Sequence, residues 1–292
     1  MKLIDGKLIS EQIKAEIKAE VAALIDSGAR APHLAAILVG EDPASQTYVA
    51  SKEKNCQSVG ITSTIYRLDK SISEKELEDT VRFLNNDPEV DGFIVQLPLP
   101  EQFDEQRIIE MINPDKDVDG FHPINVGKLV LGQDGFVSAT PAGIMEMLKR
   151  SGIETVGKHC VVIGRSNIVG TPMSILMSRT TNPGNSTVTL CHSKTQNLKE
   201  ITASADILIV AIGKPRFVTA DMVKEGAVVI DVGMHRLEDT TKKNGFRLVG
   251  DVDFEEVSKK ASWITPVPGG VGLTTIAALL QNTLKARKKV AK

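Results

Sequence analysis

Positive charge in excess, cysteine and long apolar runs are all scarce in this chain of 292 residues, and each shortage removes a class of function. The 35 Lys and Arg are offset by 37 Asp and Glu, for a net charge of −2. No global basic field exists to draw the protein to nucleic acid or an anionic membrane, so any anion site has to be local. The three cysteines, Cys56, Cys160 and Cys191, are too few and too scattered for a disulfide framework or a CxxC metal site, which points to a reducing cytoplasm. No stretch approaches about 18 consecutive apolar residues, and the opening MKLIDGKLIS has no apolar core followed by a cleavage site. The expectation is a soluble cytoplasmic protein with neither a nucleic-acid nor a membrane partner. A GxSxG elbow is missing, and no His, Asp and Cys spacing suggests a metal. His122 and His192 read as scaffold.

What is present describes a globular protein of the α/β class. Hydrophobic residues make up 41% and charged residues 25%, enough for a sizeable core, and the length fits two domains. Ile9, Ile13, Ile17, Val21 and Leu24 recur at helical spacing. A strand follows at 34–39, a helix from about Ser45 to Gly60, a β-branched run at 61–68, a capping box at Ser73 and Glu76, and a strand at 90–97. The second half repeats this alternation. Thr140-Pro141 reads as a helix start, and strands are expected at 158–163, 187–191, 207–212 and 227–232. A last helix at about 274–289 ends in Arg287, Lys288 and Lys289, cations that suit the negative end of a helix dipole. Such alternation predicts parallel sheets covered on both faces. The domains are expected at 1–140 and 141–273, the second of Rossmann type, with the terminal helix 274–292 packing back on the first. The segment Thr265 to Gly272, with two prolines and three glycines, reads as a rigid loop suited to close approach of a ligand or to a plain connection.

The turn Gly164-Arg165-Ser166-Asn167-Ile168-Val169-Gly170 lies between an apolar strand and an apolar helix, the arrangement of a dinucleotide site. An NAD site usually places an acid about 20 residues beyond the turn to bind the ribose hydroxyls. Here that position is Cys191-His192-Ser193-Lys194, and no Asp or Glu occurs between Glu154 and Glu200. A carboxylate would repel a ribose phosphate. Arg165, Ser166, Ser193 and Lys194 instead offer donors and positive charge, which predicts NADP as the cofactor.

A second anomaly is Lys52. On the helix beginning near Ser45, an advance of about 100° per residue places Tyr48, Val49, Lys52, Cys56 and Val59 in one stripe, opposite Thr47, Ser51 and Lys54. A lysine in an apolar stripe either snorkels to water or is desolvated and becomes an acid/base group near neutral pH. Tyr48, one turn earlier, is placed to relay protons. Gln96 interrupts the end of the apolar strand Phe93-Ile94-Val95, just before Leu97-Pro98-Leu99-Pro100, where ligands gather in open α/β sheets. Lys116-Asp117-Val118-Asp119-Gly120 offers two carboxylates, either of which could hold a heterocycle's NH groups or cap the turn.

Taken together, Pro43-Ala44-Ser45 to Lys52, Gln96 to Pro100, Asp115 to Pro123, Gly164 to Gly170 and Thr265 to Gly272 strongly resemble the bifunctional methylenetetrahydrofolate dehydrogenase/methenyltetrahydrofolate cyclohydrolase (FolD) family along essentially the whole chain. The resemblance implies a two-domain α/β homodimer with a folate cleft between a catalytic and an NADP domain, acting on tetrahydrofolate derivatives without a metal. It assigns acid/base work to Lys52, orientation and tuning to Tyr48 and Gln96, and pterin anchoring to Asp119. Nucleotide contacts carry over to Gly164, Arg165, Ser166 and Ser193, and to Met234, whose backbone approaches the nicotinamide. One departure is Gly272-Leu273-Thr274-Thr275, where the family's loop continues Gly-Pro-Met-Thr; loss of that proline removes a fixed backbone angle and is expected to loosen the site. The competing readings are an NADP-dependent dehydrogenase of another small substrate, which gives no reason for Gln96, and a nucleotide sensor, which would tolerate loss of Lys52.

Overall fold

The computed structural model describes residues 1–241 and 245–290. The chain forms two compact units, one of Glu11–Ala139 with Ile276–Lys292, the other of Met1–Ser10 with Thr140–Thr275.

Strand β1 (Lys2–Leu3) and helix α1 (Gly6–Asp26) open the chain, followed by β2 (His33–Val39), α2 (Pro43–Ser58), β3 (Thr62–Leu68), α3 (Glu74–Asn86), β4 (Gly92–Val95), α4 (Glu105–Met111) and α5 (Pro123–Leu131). The expected strands and helices are all there. In the first unit β2 lies between β3 and β4, with every pairing parallel. From Leu34 to Val39 β2 is buried on both faces, which is why it reads as an unbroken apolar run without alternation. Leu77, Val81 and Leu84 of α3 fill one face of this sheet together with Phe93 and Ile108. Fully burying side chains of this size stabilises the fold by about 1.5–3 kcal/mol each. Ser73 caps α3 with the reciprocal Glu76 bond that its spacing predicts.

The second unit continues with α6 (Ala139–Arg150), β5 (His159–Ile163), α7 (Gly170–Ser178), β6 (Thr187–Cys191), α8 (Leu198–Ala203), β7 (Ile207–Val210), β8 (Val228–Asp231), β9 (His235–Glu238), β10 (Phe246–Val249), α9 (Phe254–Val257) and β11 (Trp263–Ile264), and the chain ends in α10 (Val271–Val290), which belongs to the first unit from Ile276 onward. Its parallel sheet has the order β1-β11-β8-β7-β5-β6, and β9 with β10 forms a separate antiparallel hairpin that the sequence reading does not anticipate. The chain leaves β5 for β6 on one side and returns for β7 on the other. The order therefore reverses beside β5, the position at which doubly wound sheets bind ligands.

Two expected boundaries move. Helix α6 begins at Ala139, so Thr140 lies inside its first turn, and its hydroxyl accepts a hydrogen bond from Thr275 Oγ1 at 3.1 Å instead of capping the helix. Helix α10 begins at Val271, so the proline-glycine loop ends at Gly270. Leu273 is already helical, and its N–H donates to Gly270 O at 3.2 Å. A proline could not make that bond.

The two sheets share one device at their amino ends. His33 opens β2; its backbone N–H donates to Asp91 at 2.8 Å, its Nδ1 meets Glu89 O at 3.1 Å and its Nε2 meets Thr64 Oγ1 at 2.9 Å. His159 opens β5 and repeats the set with Asp206 at 2.9 Å, Ser204 O at 3.4 Å and Thr189 Oγ1 at 2.9 Å. Each Asp carries a cation as well, Arg30 on Asp91 and Lys224 on Asp206. Each device ties three parallel strands together at the end away from the candidate ligand positions.

Candidate active site

Helix α2 begins at an Asp42 N-cap with Pro43 in its first turn, and this start fixes the rotation of the helix. Val49, Cys56 and Val59 are buried, so the stripe predicted from the sequence is the inward face. Lys52 and Tyr48 are half-buried on it. Lys52 Nζ donates to Gln96 Oε1 at 3.1 Å. Gln96 stands one residue beyond β4; its Nε2 donates to Leu97 O at 2.7 Å, which turns the amide oxygen toward the lysine. Its backbone N–H donates to Ile37 O, so the sheet ladder continues through this residue and holds it.

The two carboxylates of the 116–120 turn part company. Asp117 is buried and accepts from the backbone N–H groups of Gly120 (3.1 Å), Phe121 (3.2 Å) and His122 (2.8 Å), and from Asn125 Nδ2 (2.8 Å). Its capacity is consumed in shaping the turn. Asp119 accepts no hydrogen bond among the described residues and faces the Lys52 charge. Burial raises the Asp119 carboxyl above its ordinary value, opposed by Lys52; burial also lowers the Lys52 ammonium, opposed by Asp119. Tyr48 is raised by burial and stays a phenol. One turn after Lys52, the Cys56 thiol is pushed up to about 12 by burial, so it is an inert wall and not a nucleophile. His122 is scaffold: its ring caps α5 through the Ile124 N–H and contacts Glu110 O.

In the other unit the glycine turn leaves the carboxyl end of β5. Gly164 has φ +115°, and a Cβ there would stand 2.1 Å from Ala211 O, so the turn requires glycine. Ser166 Oγ accepts the Val169 N–H at 3.2 Å, tightening the entry into α7, which has no side-chain cap of its own. The N–H groups at this helix start suit a pyrophosphate. Gly164 N–H donates to Cys191 O, which sets the turn beside the end of β6. There Thr195 Oγ1 accepts the His192 N–H and His192 Nδ1 accepts the Lys194 N–H, holding Ser193 at an exposed tip. Arg165 is exposed, and its guanidinium has no ion-pair partner among the described residues. Gly164, Arg165, Ser166 and Ser193 thus share one end of two adjacent strands, a cradle with donors and no acid, which fits a phosphorylated ribose. Met234 lies apart from them, exposed after β8. Among the described residues no group of metal-binding side chains occurs, and the three cysteines are buried free thiols.

In this unit two buried aspartates have no role in the sequence reading, Asp231 and Asp251. Burial pushes the Asp231 carboxyl up to about 6 against the backbone N–H bonds it accepts. Both follow apolar runs, Val228-Val229-Ile230 and Leu248-Val249-Gly250, and an acid ending such a run is the signal that could have found them.

The model of the tetrahydrofolate dehydrogenase/cyclohydrolase catalytic domain matches residues 4–119, and that of the NAD(P)-binding domain of the same family matches residues 138–291. The bifunctional protein FolD of Cytophaga hutchinsonii is 62% identical, with 98% of this chain and 99% of that protein covered. The crystal structure of the bifunctional FolD methylenetetrahydrofolate dehydrogenase/cyclohydrolase from Campylobacter jejuni superimposes with TM-score 0.93 at 50% identity, covering 99% of each chain. That of the Trypanosoma brucei N5,N10-methylenetetrahydrofolate dehydrogenase-cyclohydrolase, complexed with NADP cofactor and inhibitor, gives TM-score 0.93 at 38% identity, over 99% of this chain and 98% of that one. Matched in order through both units, the chain belongs to the tetrahydrofolate dehydrogenase/cyclohydrolase family.

Proposed function

We propose that this chain oxidises 5,10-methylenetetrahydrofolate to the 5,10-methenyl form with NADP and hydrolyses that product to 10-formyltetrahydrofolate. The observation that carries the reading is the desolvated Lys52 amine hydrogen-bonded to Gln96 and facing an Asp119 carboxylate that has no hydrogen-bond donor among the described residues. A dehydrogenase of an unrelated small substrate leaves that set without a task.

NADP, when bound, supplies the acceptor for the hydride leaving the one-carbon bridge. The glycine turn and Ser166 hold its pyrophosphate, while Arg165 and Ser193 hold the ribose phosphate. Asp119 accepts hydrogen bonds from the amino and ring NH groups of the pterin, and Tyr48 and Gln96 orient Lys52. In hydrolysis, neutral Lys52 takes a proton from water as its oxygen bonds to the methenyl carbon. It returns a proton to N5 as the carbon–N5 bond breaks, and the hydroxyl proton leaves to solvent. Depressing the amine's proton affinity is what supplies a neutral base near pH 7. The resemblance further supports a homodimer, and buried free thiols suit a cytoplasmic setting. The domain roles follow the same reading: folate chemistry in the unit holding Lys52, nucleotide binding in the unit holding Gly164.

The direct test mixes purified protein with 5,10-methylenetetrahydrofolate and either nucleotide, and follows the methenyl and reduced-nucleotide absorbances together. Absence of both signals with NADP overturns the reading. Arg165→Ala is expected to raise the NADP KM by about 10-fold or more while changing the NAD KM by less than about 2-fold, since a charged hydrogen bond to phosphate is lost. Equal losses for the two nucleotides would contradict the phosphate assignment. Asp119→Asn tests the coupling to Lys52. Asp119 raises the amine's proton affinity, so its removal lets the lysine deprotonate at lower pH. The rising limb of the cyclohydrolase kcat profile is therefore expected to move to lower pH, alongside a higher folate KM. A limb that stays in place or moves upward refutes Lys52 as the titrating base.

A further inference from the structure

Asp251, which has no part in the reaction above, is completely buried. Its Oδ2 accepts the backbone N–H groups of Ile212 (2.8 Å) and Gly213 (3.1 Å), and its Oδ1 accepts the N–H of Lys214 (2.8 Å) and the Nε2–H of His235 (2.8 Å). Its own N–H donates to Asp231, which also takes the N–H of Gly233 at 3.0 Å. A Cβ on Gly233 would stand 2.5 Å from the Asp251 carboxyl carbon, so the turn after β8 lies directly against this carboxylate. The loop that Asp251 grips begins at Ala211, whose carbonyl abuts Gly164. One carboxylate thus connects the loop after β7 and the turn after β8, and it reaches the glycine turn through Ala211.

The sheet order gives this connection a direction. With the ribose phosphate at the end of β6 and the pyrophosphate at the end of β5, the far half of a dinucleotide extends over the ends of β7 and β8. Those are the two loops joined by Asp251 and His235. We propose that His235, through its hydrogen bond to Asp251, is a positioning residue that fixes the Gly233–Met234 turn against the 212–214 loop and thereby holds the nicotinamide half of the cofactor in one orientation. The inference rests on the NADP reading above and adds a residue to it. Half-buried His235 makes a single side-chain bond to this network, so it can be replaced with less disturbance than Asp251, whose loss strands four donors.

The test compares His235→Leu with His235→Gln, whose terminal amide can present a donor close to the Nε2 position. For His235→Leu the dehydrogenase kcat is expected to fall by about 10-fold, the NADP KM to change by less than about 3-fold, and cofactor-independent methenyl hydrolysis to keep its rate, because slight misplacement penalises reaction more than binding. The fluorescence lifetime of bound NADPH, read without substrate, is expected to change in His235→Leu and to return toward the parent value in His235→Gln, as is kcat. An unchanged kcat and lifetime in His235→Leu, or a His235→Gln protein as impaired as His235→Leu, overturns the proposal. Failure of the parent protein to reduce NADP defeats the functional reading instead, and the NADPH lifetimes still decide the role of His235.

Discussion

Lys52→Met is expected to abolish methenyl hydrolysis, by about 10² to 10⁴-fold, while the affinity for NADP stays within about 2-fold of the parent. The nucleotide cradle is built from other elements, Gly164 to Ser166 and Ser193, so the variant separates chemistry from cofactor binding. Stability is expected to change little. Burial lowers the proton affinity of Lys52 below its ordinary value, so between the folded and unfolded pKa the unfolded chain binds more protons and stability rises with pH. At neutral pH keeping this amine out of water is therefore a cost to the fold, in either protonation state. Methionine removes that cost but leaves Gln96 Oε1 without its donor and the Asp119 carboxylate without its facing cation. The two effects oppose each other, so the thermal midpoint at pH 7 is expected to stay within roughly 4 °C of the parent. Hydrolysis at the parent rate would remove Lys52 from the mechanism, and a markedly lower midpoint would show that the amine serves the fold.

Gly164→Ala is expected to weaken NADP binding by at least about 100-fold and to destabilise the nucleotide unit by about 2–4 kcal/mol. The added carbon meets a backbone carbonyl, Ala211 O, and not the end of a flexible side chain; the position also has φ +115°, which L residues rarely adopt. Relief requires the turn to move away from β7, which carries the helix start of α7 away from the phosphates. Isothermal titration with NADP and a thermal melt of the same sample check both parts. Parent-level affinity would mean that the pyrophosphate lies elsewhere. Methenyl hydrolysis in this variant should survive where the protein remains folded, the mirror image of Lys52→Met.

The central strands were legible in the sequence because parallel strands buried on both faces must be apolar throughout, and β2, β5 and β7 are such runs. The stripe through Val49, Lys52 and Cys56 was legible because a helix repeats its faces at a fixed angle, so one cation among apolar neighbours shows up without coordinates. The hairpin of β9 and β10 was not, since its strands are short and half-exposed and carry charges such as Arg236, Glu238 and Arg247. The helical start at Val271 was hidden by glycines that read as loop. Asp251 was invisible for a different reason: its partners are backbone N–H groups, which every residue possesses and no sequence pattern reports.

The order of amino acids by itself determined the α/β class, the acid-free nucleotide turn and the misplaced lysine, because each follows from periodicity or charge along a local stretch of chain. The resemblance singled out Asp119, but only the tertiary structure gave a physical difference between Asp117 and Asp119. The two stand two residues apart in one turn, and the choice depended on which carboxylate the backbone N–H groups of 120–122 reached. It also decided that Gln96 turns its oxygen to Lys52, since that contact joins residues 44 positions apart and depends on how α2 packs against the sheet of β2 and β3. Local pattern names the candidates, and long-range packing settles which of them are left free to act.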